Sequence, residues 1–424
     1  MMFSAGSNDA MSTPIENYVV YKAGESYIVK GSFSGEEWRS SSSASEAIQY
    51  AINLLGSSGG EVTIGRGDFE LSAAITLTSN VVIRGGGRSS RLLVGRANTA
   101  GVGIECDGID GAVITDIAVI PSDNVEGKVG MVLNNCGNCE IRNVFCGGFS
   151  EYGIWVRENS FLCTVFNCSL AGNGKTNIYL DNLGEGRCGN YLPNLITGCT
   201  IYGGGKGIEC KRAIVVNIVG CVVFQTMDIA YHIHSFSNSV VISGSRTFQI
   251  TGQAVVVEES HELNVSSNIF CWHTGSGIVV KNSSWGTISA NEIIDSGSYN
   301  SGAENHSTMK TEVDKDVVLI NGVELLGSRG YTISANTVFN WGVVPKLKIG
   351  IYEDAECCNN IIANNNVNYY EEGDVVSLGK ESIVSDNIGC DREAYESHGK
   401  PYYQSFVVEA TQRFIEKQKM TSDR

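Results

Sequence analysis

Arg157, Asp181, Lys211, His234, Glu258 and Lys281 hold one position in six successive copies of a short apolar motif. Side chains of those types in a single line could bind and transform a polar substrate. The motif reads Gly-Ile-x-Val-x, as in GIWVR (153–157), NIYLD (177–181), GIECK (207–211), YHIH (231–234), VVVE (255–258) and GIVVK (277–281), and it returns in GVELL (322–326) and GIYED (350–354). If each copy is a β-strand, the Ile and Val side chains share one face and the two x positions share the other. The first x column then holds Trp155, Tyr179, Glu209, His232, Val256, Val279, Glu324 and Tyr352. The second holds Arg157, Asp181, Lys211, His234, Glu258, Lys281, Leu326 and Asp354. Two of the 6 histidines, His232 and His234, fall in these columns.

Hydrolysis of a glycosidic bond needs two carboxyls, one protonated and one ionised. Asp181 and Glu209 lie on adjacent copies in different columns. One strand spacing plus two residues of rise puts their backbones ~8 Å apart, within the ~6.5–9.5 Å of inverting enzymes. They form the expected acid/base pair, with Glu258 in reserve. Lys211, His232 and His234 would tune them or hold hydroxyls, and Trp155, Tyr179, Arg157 and Lys281 would bind the sugar. A second reading is β-elimination or epimerisation on a uronate polymer, with Lys211 or His234 taking a proton and Arg157 and Lys281 clamping the carboxylate. A third is glycan binding without turnover. The plain alternative is a solvated sheet face laced with weak ion pairs. His232 and His234 could share one ion, but no constellation has metal-ligand geometry, so neither a metal nor another cofactor is expected. Glu259, His261 and Glu262 read as turn surface, Trp272 and His273 as packing, and Asp228 and Asp295 as residues that could join the site from its edge.

The elements that position these columns follow from the repeat. The inward residues Ile154, Ile178, Ile208, Tyr231, Val255, Ile278, Val323 and Ile351 are separated by 24, 30, 23, 24, 23, 45 and 28 residues, a base period of 23–24 with three insertions. Cys168, Cys199, Cys221, Ser245, Asn268, Asn291, Asn336 and Asn365 recur at one turn, in contexts such as GTISANEI and YTISANTV. Stacked amides can bond from coil to coil, and Asn tolerates the left-handed backbone such turns need. A period near 23 with three short strands per repeat predicts an all-β right-handed parallel β-helix of about ten coils. A leucine-rich horseshoe has a similar period, but its LxxLxLxxN pattern is absent.

The expected organisation is an N-terminal extension (1–42), the β-helix (43–390) and a C-terminal tail (391–424). SASEAIQYAINLLG (43–56) predicts a helix capping the solenoid: Ser43 and Glu46 have capping-box spacing, Ile48, Ala51, Ile52 and Leu55 form one stripe, and Gly56 stops it. A second amphipathic helix is expected over 405–418. The insertions 182–192, 296–316 and 342–348 flank the polar columns, where long loops carry function.

Composition narrows the partners. A net charge of −16 disfavours general binding to phosphate backbones. No apolar run reaches the ~18 residues of a membrane span, and no leader sequence is visible, so a cytoplasmic protein is expected. Several of the 14 cysteines recur at the repeat period, and most are expected to be reduced, buried ladder residues, with disulfides as the alternative. The expected partners are an oligo- or polysaccharide and other copies of the chain, as a homo-oligomer such as a trimer.

The helix followed by GGEVTIGRGDF, the VVIRGGG segment (81–87) and the ISAN-type coils resemble the pectate-lyase-like right-handed β-helix superfamily over roughly residues 43–390. The resemblance implies a carbohydrate-active fold and no single reaction. Where polygalacturonases carry their acidic signatures, this chain reads KTN (175–177), GKG (205–207), IAY (229–231) and AVVVE (254–258). The Arg-rich strand of calcium-dependent pectate lyases and the DPHD-type motif of alginate epimerases are also missing. Inulin fructotransferases share the layout of cap helix and late insertion, although no short motif ties the chain to them.

Overall fold

The computed structural model describes residues 16–183, 192–297, 319–340 and 347–391. Every copy of the Gly-Ile-x-Val motif is a strand, because β-branched residues alternating with polar ones suit a surface buried on one side. Strands Tyr152–Arg157, Thr176–Leu183, Lys206–Val219, Tyr231–His234, Val255–Glu258, Ile278–Lys281, Val323–Leu326 and Ile349–Glu353 stack in parallel and make one wall, the ladder face. Their register aligns Trp155 with Tyr179, Tyr179 with Glu209 and Glu209 with His232, and aligns Arg157, Asp181, Lys211 and His234 in turn. The inward residues Ile154, Ile178, Ile208, Tyr231, Val255, Ile278, Val323 and Ile351 are all fully buried.

Two more parallel sheets close each coil. One carries His261–Ser266, Ser284–Ser289 and Arg329–Ser334. The other has 13 strands and runs to Ile388–Asp391. The result is a right-handed β-helix of about 12 coils rather than ten. Beyond the eight motif copies, the same wall carries Ile75–Thr76, Val102–Asp107 and Val129–Asn134 before them and Gly373–Ser377 after them.

The turn column is an amide ladder. Asn336 Oδ1 accepts from the backbone N–H of Asn291 at 3.0 Å and from its Nδ2 at 2.9 Å. Asn268, Asn291, Asn336 and Asn365 repeat this contact, each on the next coil. The left-handed residue is not the Asn but the one before it: Ser267, Ala290, Ala335 and Asn364 have φ of 54–58°. The Asn side chain turns inward to bond carbonyls such as Ile288 O (2.9 Å from Asn336 Nδ2), so its amide, rather than its backbone tolerance, is what the turn uses. Asn336→Ala would strand a buried N–H, an amide and a carbonyl. Roughly 2–4 kcal/mol of stability should be lost, read as a lower denaturant midpoint; an unchanged midpoint would show the ladder to be energetically idle.

The cap helix spans Ala44–Leu55, and Ser43 accepts from the backbone N–H of Glu46. The reciprocal half of the capping box runs through Ser41: the Ser43 backbone N–H donates to Ser41 Oγ at 3.0 Å, and that hydroxyl donates to the Glu46 carboxylate at 3.0 Å. Ala47, Ile48, Ala51, Ile52 and Leu55 are buried over the open end of the coil stack. The stretch read as an extension contains strands Tyr18–Ala23, Ser26–Gly31 and Glu37–Ser41; they pair antiparallel, and the first also adds in parallel to Gly60–Ile64. The helix expected over 405–418 lies outside the described residues, as does most of each insertion. Of the 13 described cysteines, all are free thiols and 11 are buried. No helix among the described residues is long and apolar enough to cross a membrane.

Candidate functional site

The two columns converge on Glu209. Its Oε1 accepts from Lys206 Nζ at 2.6 Å and from His234 Nε2 at 3.1 Å, and lies 3.5 Å from His232 Nδ1. Its Oε2 accepts from Thr176 Oγ1 at 2.7 Å. Lys206 Nζ also lies 2.8 Å from His232 Nδ1. An ammonium only donates, so Nδ1 accepts and the His232 proton sits on Nε2, which faces Glu258 Oε2 at 3.4 Å. Lys281 Nζ donates to the other oxygen of Glu258 at 3.1 Å. The His232 and His234 rings stack 4.2 Å apart. The Lys206, Glu209, His232 and His234 side chains are 20%, 12%, 11% and 17% exposed, so the cluster is sheltered yet reachable.

Burial would raise the Glu209 carboxyl, but His232, His234, Lys206 and Thr176 around it outweigh burial and hold the group far below the usual carboxylate range. Glu258 is treated the same way more mildly: burial raises it, and Lys281 and His232 bring it below its ordinary value. Both glutamates are therefore ionised at neutral pH. In the expected pair of Asp181 and Glu209, Glu209 would be the ionised member.

The neighbouring coils supply an aromatic and cationic shelf. Tyr152 stacks on Tyr179 with centroids 4.7 Å apart, and Trp155 lies 6.0 Å from Tyr179. The Arg157 guanidinium sits 4.2 Å from the Trp155 ring centroid. Arg157 Nε and Trp155 Nε1 are buried with no hydrogen-bond partner among the described residues. Burial, followed by the charges of Asp181 and Glu209, pushes the Tyr179 hydroxyl well above its ordinary value. Asp181 accepts from Arg212 at 3.3 Å. Lys211 lies between Asp181 and His234 in the register and makes no ion pair among the described residues.

All ten sequence-assigned residues thus lie on one wall. Glu209, His232, His234, Glu258 and Lys281 form one connected network. Trp155, Arg157 and Tyr179 form the shelf, with Asp181 beside it. Asp295, expected at the site's edge, instead accepts from the Trp272 indole on the 13-stranded sheet. Sequence reasoning missed Lys206, Thr176, Tyr152 and Arg212. Strict alternation would turn Lys206 inward with Ile208, but Gly207 and Ile208 are both buried in succession, so the alternation breaks there. The signal was the column Tyr152, Thr176 and Lys206, one register position upstream of the motif.

Glu209, His232 and His234 each bring a ligand atom within 4.8 Å of the others, a grouping that could hold a metal ion. Sequence spacing pairs only His232 and His234 for an ion, and the fold brings Glu209 beside them. The Lys206 ammonium contacts two of the three, so an ion would have to displace or share its position.

A family profile described as "Right handed beta helix region" matches residues 152–338. No curated protein sequence matches the chain significantly. Among solved structures, the chain is similar to the A-module of the Azotobacter vinelandii mannuronan C-5 epimerase AlgE6 (TM-score 0.62, 15% identity, 81% of this chain and 94% of that one). It is also similar to DFA-IIIase from Arthrobacter chlorophenolicus A6 (0.56, 15%, 76% and 90%) and to a PL6 alginate lyase solved with a trisaccharide (0.55, 12%, 83% and 84%). At such identities the likeness is one of backbone, and with the profile it identifies the chain as a right-handed parallel β-helix.

Proposed function

We propose that this chain is a carbohydrate-active enzyme that binds an oligo- or polysaccharide along the ladder face and transfers protons at the Glu209–His232–His234–Lys206 cluster. The reaction class best supported is proton abstraction beside a carboxylate, that is, lyase or epimerase chemistry on a uronate polymer. The observation carrying this reading is that Glu209 accepts hydrogen bonds from Lys206, His234 and Thr176, has His232 3.5 Å away and stays ionised, so three nitrogen groups able to exchange protons or neutralise charge surround it. Such a carboxylate is a weak nucleophile and no acid. It serves instead to orient the two imidazoles and to face the charge that forms when one of them takes a proton. Lys211 makes no ion pair among the described residues, the Arg157 side chain is partly exposed, and the half-buried Trp155 ring lies beside them. The fold is shared with proteins named as mannuronan epimerase and alginate lyase, which is consistent with this class.

The test is to incubate the protein in heavy water with mannuronan and, in parallel, with inulin and an α-1,3-glucan. Deuterium appearing at C5 of the uronate, with or without an unsaturated, ultraviolet-absorbing product, is the expected result. New reducing ends from a neutral polymer, without either signal, would replace this reading by a hydrolytic one built on Asp181 and Glu258.

A further inference from the structure

The corner that follows the ladder face is built from buried serines. The backbone N–H of Ser260 donates to Ser283 Oγ (3.1 Å), that of Ser283 to Ser328 Oγ (3.2 Å), and that of Ser328 to Cys357 Sγ (3.1 Å). This internal ladder leaves the flanking side chains to point outward. They enclose a half-open cavity of about 230 Å³, lined among others by His261, Asn282, Ser284, Arg329 and Glu356. That is below the ~300–1,000 Å³ of sites for drug-sized ligands, and suits a single sugar unit.

Trp285, next in sequence to the cavity-lining Ser284, is 60% exposed. Its φ of 57° is in the left-handed region, which a bulky side chain rarely adopts. The ring is nevertheless held. Gly330 of the next coil lies close to it, where an added Cβ would come within 2.8 Å of Trp285 Cδ1. The His261 ring, tilted 44° to it with centroids 6.0 Å apart, is itself tied by Nδ1 to Ser284 Oγ at 2.6 Å. A large apolar ring is thus fixed in water beside a polar hollow. Arg329 and Glu356 are exposed there, and Arg329 makes no ion pair among the described residues.

We infer that this corner is a second, non-catalytic saccharide-binding site, in which a pyranose stacks its C–H face on Trp285 and turns its hydroxyl edge to Asn282, Arg329 and Glu356. A flat ring with one apolar face and a polar rim matches an aromatic plate beside planar amide, guanidinium and carboxylate groups. Asn282 directly follows Lys281, and Gly327 follows Leu326, so the cavity adjoins the ladder face and could anchor a long chain lying there. The three stacked rings of Tyr202, Phe224 and Phe248 on the 13-stranded sheet do not compete for this role, because at 4.8–5.5 Å their faces cover one another.

The test is calorimetric titration of the full chain, Trp285→Ala and Arg329→Ala with mannuronate hexasaccharide and with maltohexaose. Trp285→Ala should weaken binding of at least one probe about tenfold, the size of an interface anchor, with Arg329→Ala weakening it less. The hexasaccharide that responds identifies whether the sugar is charged or neutral. Unchanged melting temperatures would exclude misfolding, and Trp285→Tyr, which keeps a ring, should retain most of the affinity. Affinities within twofold of the unmodified chain for both probes in both alanine variants, or no binding of either probe, would overturn the inference. Its fate is separate from that of the proposed reaction: Trp285-dependent binding without any turnover would leave this site standing and the catalytic reading fallen.

Discussion

Glu209→Gln is expected to lower turnover by about a thousandfold or more while leaving the coil stack folded. The substitution keeps the size of the side chain and removes its charge. One of its polar ends becomes a donor, so Lys206, His234 and Thr176 can no longer all be accepted. Each lost bond to the ionised group is worth about 1.5–3 kcal/mol, and losing positioned acid–base groups typically costs about 10²–10⁴ in rate. His232 would also lose the arrangement that keeps its proton on Nε2, because Lys206 would be free to swing away from Nδ1. The measurement is turnover on whichever polymer the product assay identifies, alongside the melting temperature. A variant that turns over at the normal rate would remove Glu209 from the mechanism.

The second large effect concerns stability rather than reaction. His273 is fully buried, and the backbone of Phe270 gives its ring only a weak contact that burial outweighs. Burial pushes its pKa down to about 3. The ring is therefore neutral in the folded chain, whereas an unfolded histidine titrates at its ordinary value near 6.5. Above that value neither state binds the proton and His273 costs nothing. As the pH falls from about 6.5 toward 3, only the unfolded chain takes up the proton, and stability drops by about 1.4 kcal/mol per unit. By pH 4.5 the loss from this one residue should reach roughly 2–3 kcal/mol. Denaturant unfolding of the unmodified chain and of His273→Phe at pH 7.5 and 4.5 isolates the term, since other titrating groups are common to both. Equal acid destabilisation of the two proteins would show that the imidazole finds a proton acceptor or water in the fold.

The same comparison separates His273 from Glu209, although both lose stability in acid. A carboxylate held below its usual range contributes fully above that range, and its contribution disappears only as it is protonated at lower pH. The histidine effect begins two units higher, and no carboxylate can mimic its onset.

The period of 23–24 residues and the alternation within each motif determined the coil, the identity of the inward residues and the two outward columns. The observed pairing of Trp155 with Tyr179, Tyr179 with Glu209 and Lys211 with His234 is the pairing that spacing alone predicts. This is legible because a parallel β-helix is a local code: each strand stacks on the corresponding strand one repeat away, so sequence position converts directly into height and face. The cap helix was legible for the same reason, through its own period and N-cap.

Tertiary structure alone decided what depends on side-chain reach and on departures from the period. Lys206 enters the site because two successive residues, Gly207 and Ile208, are both buried, and no alternation rule anticipates that break. The ionised state of Glu209 depends on four side chains, Thr176, Lys206, His232 and His234, on three different strands, and desolvation works against them, so only their geometry fixes the sign. Trp285 shows the limit most simply. Its residue type is visible in the sequence, but its role as a fixed, exposed plate depends on Gly330 and His261 arriving beside it from neighbouring coils. Spacing assigns a residue to a wall; whether it can donate, accept or stack there depends on the atoms that neighbouring coils bring within about 3–4 Å, distances that periodicity does not carry.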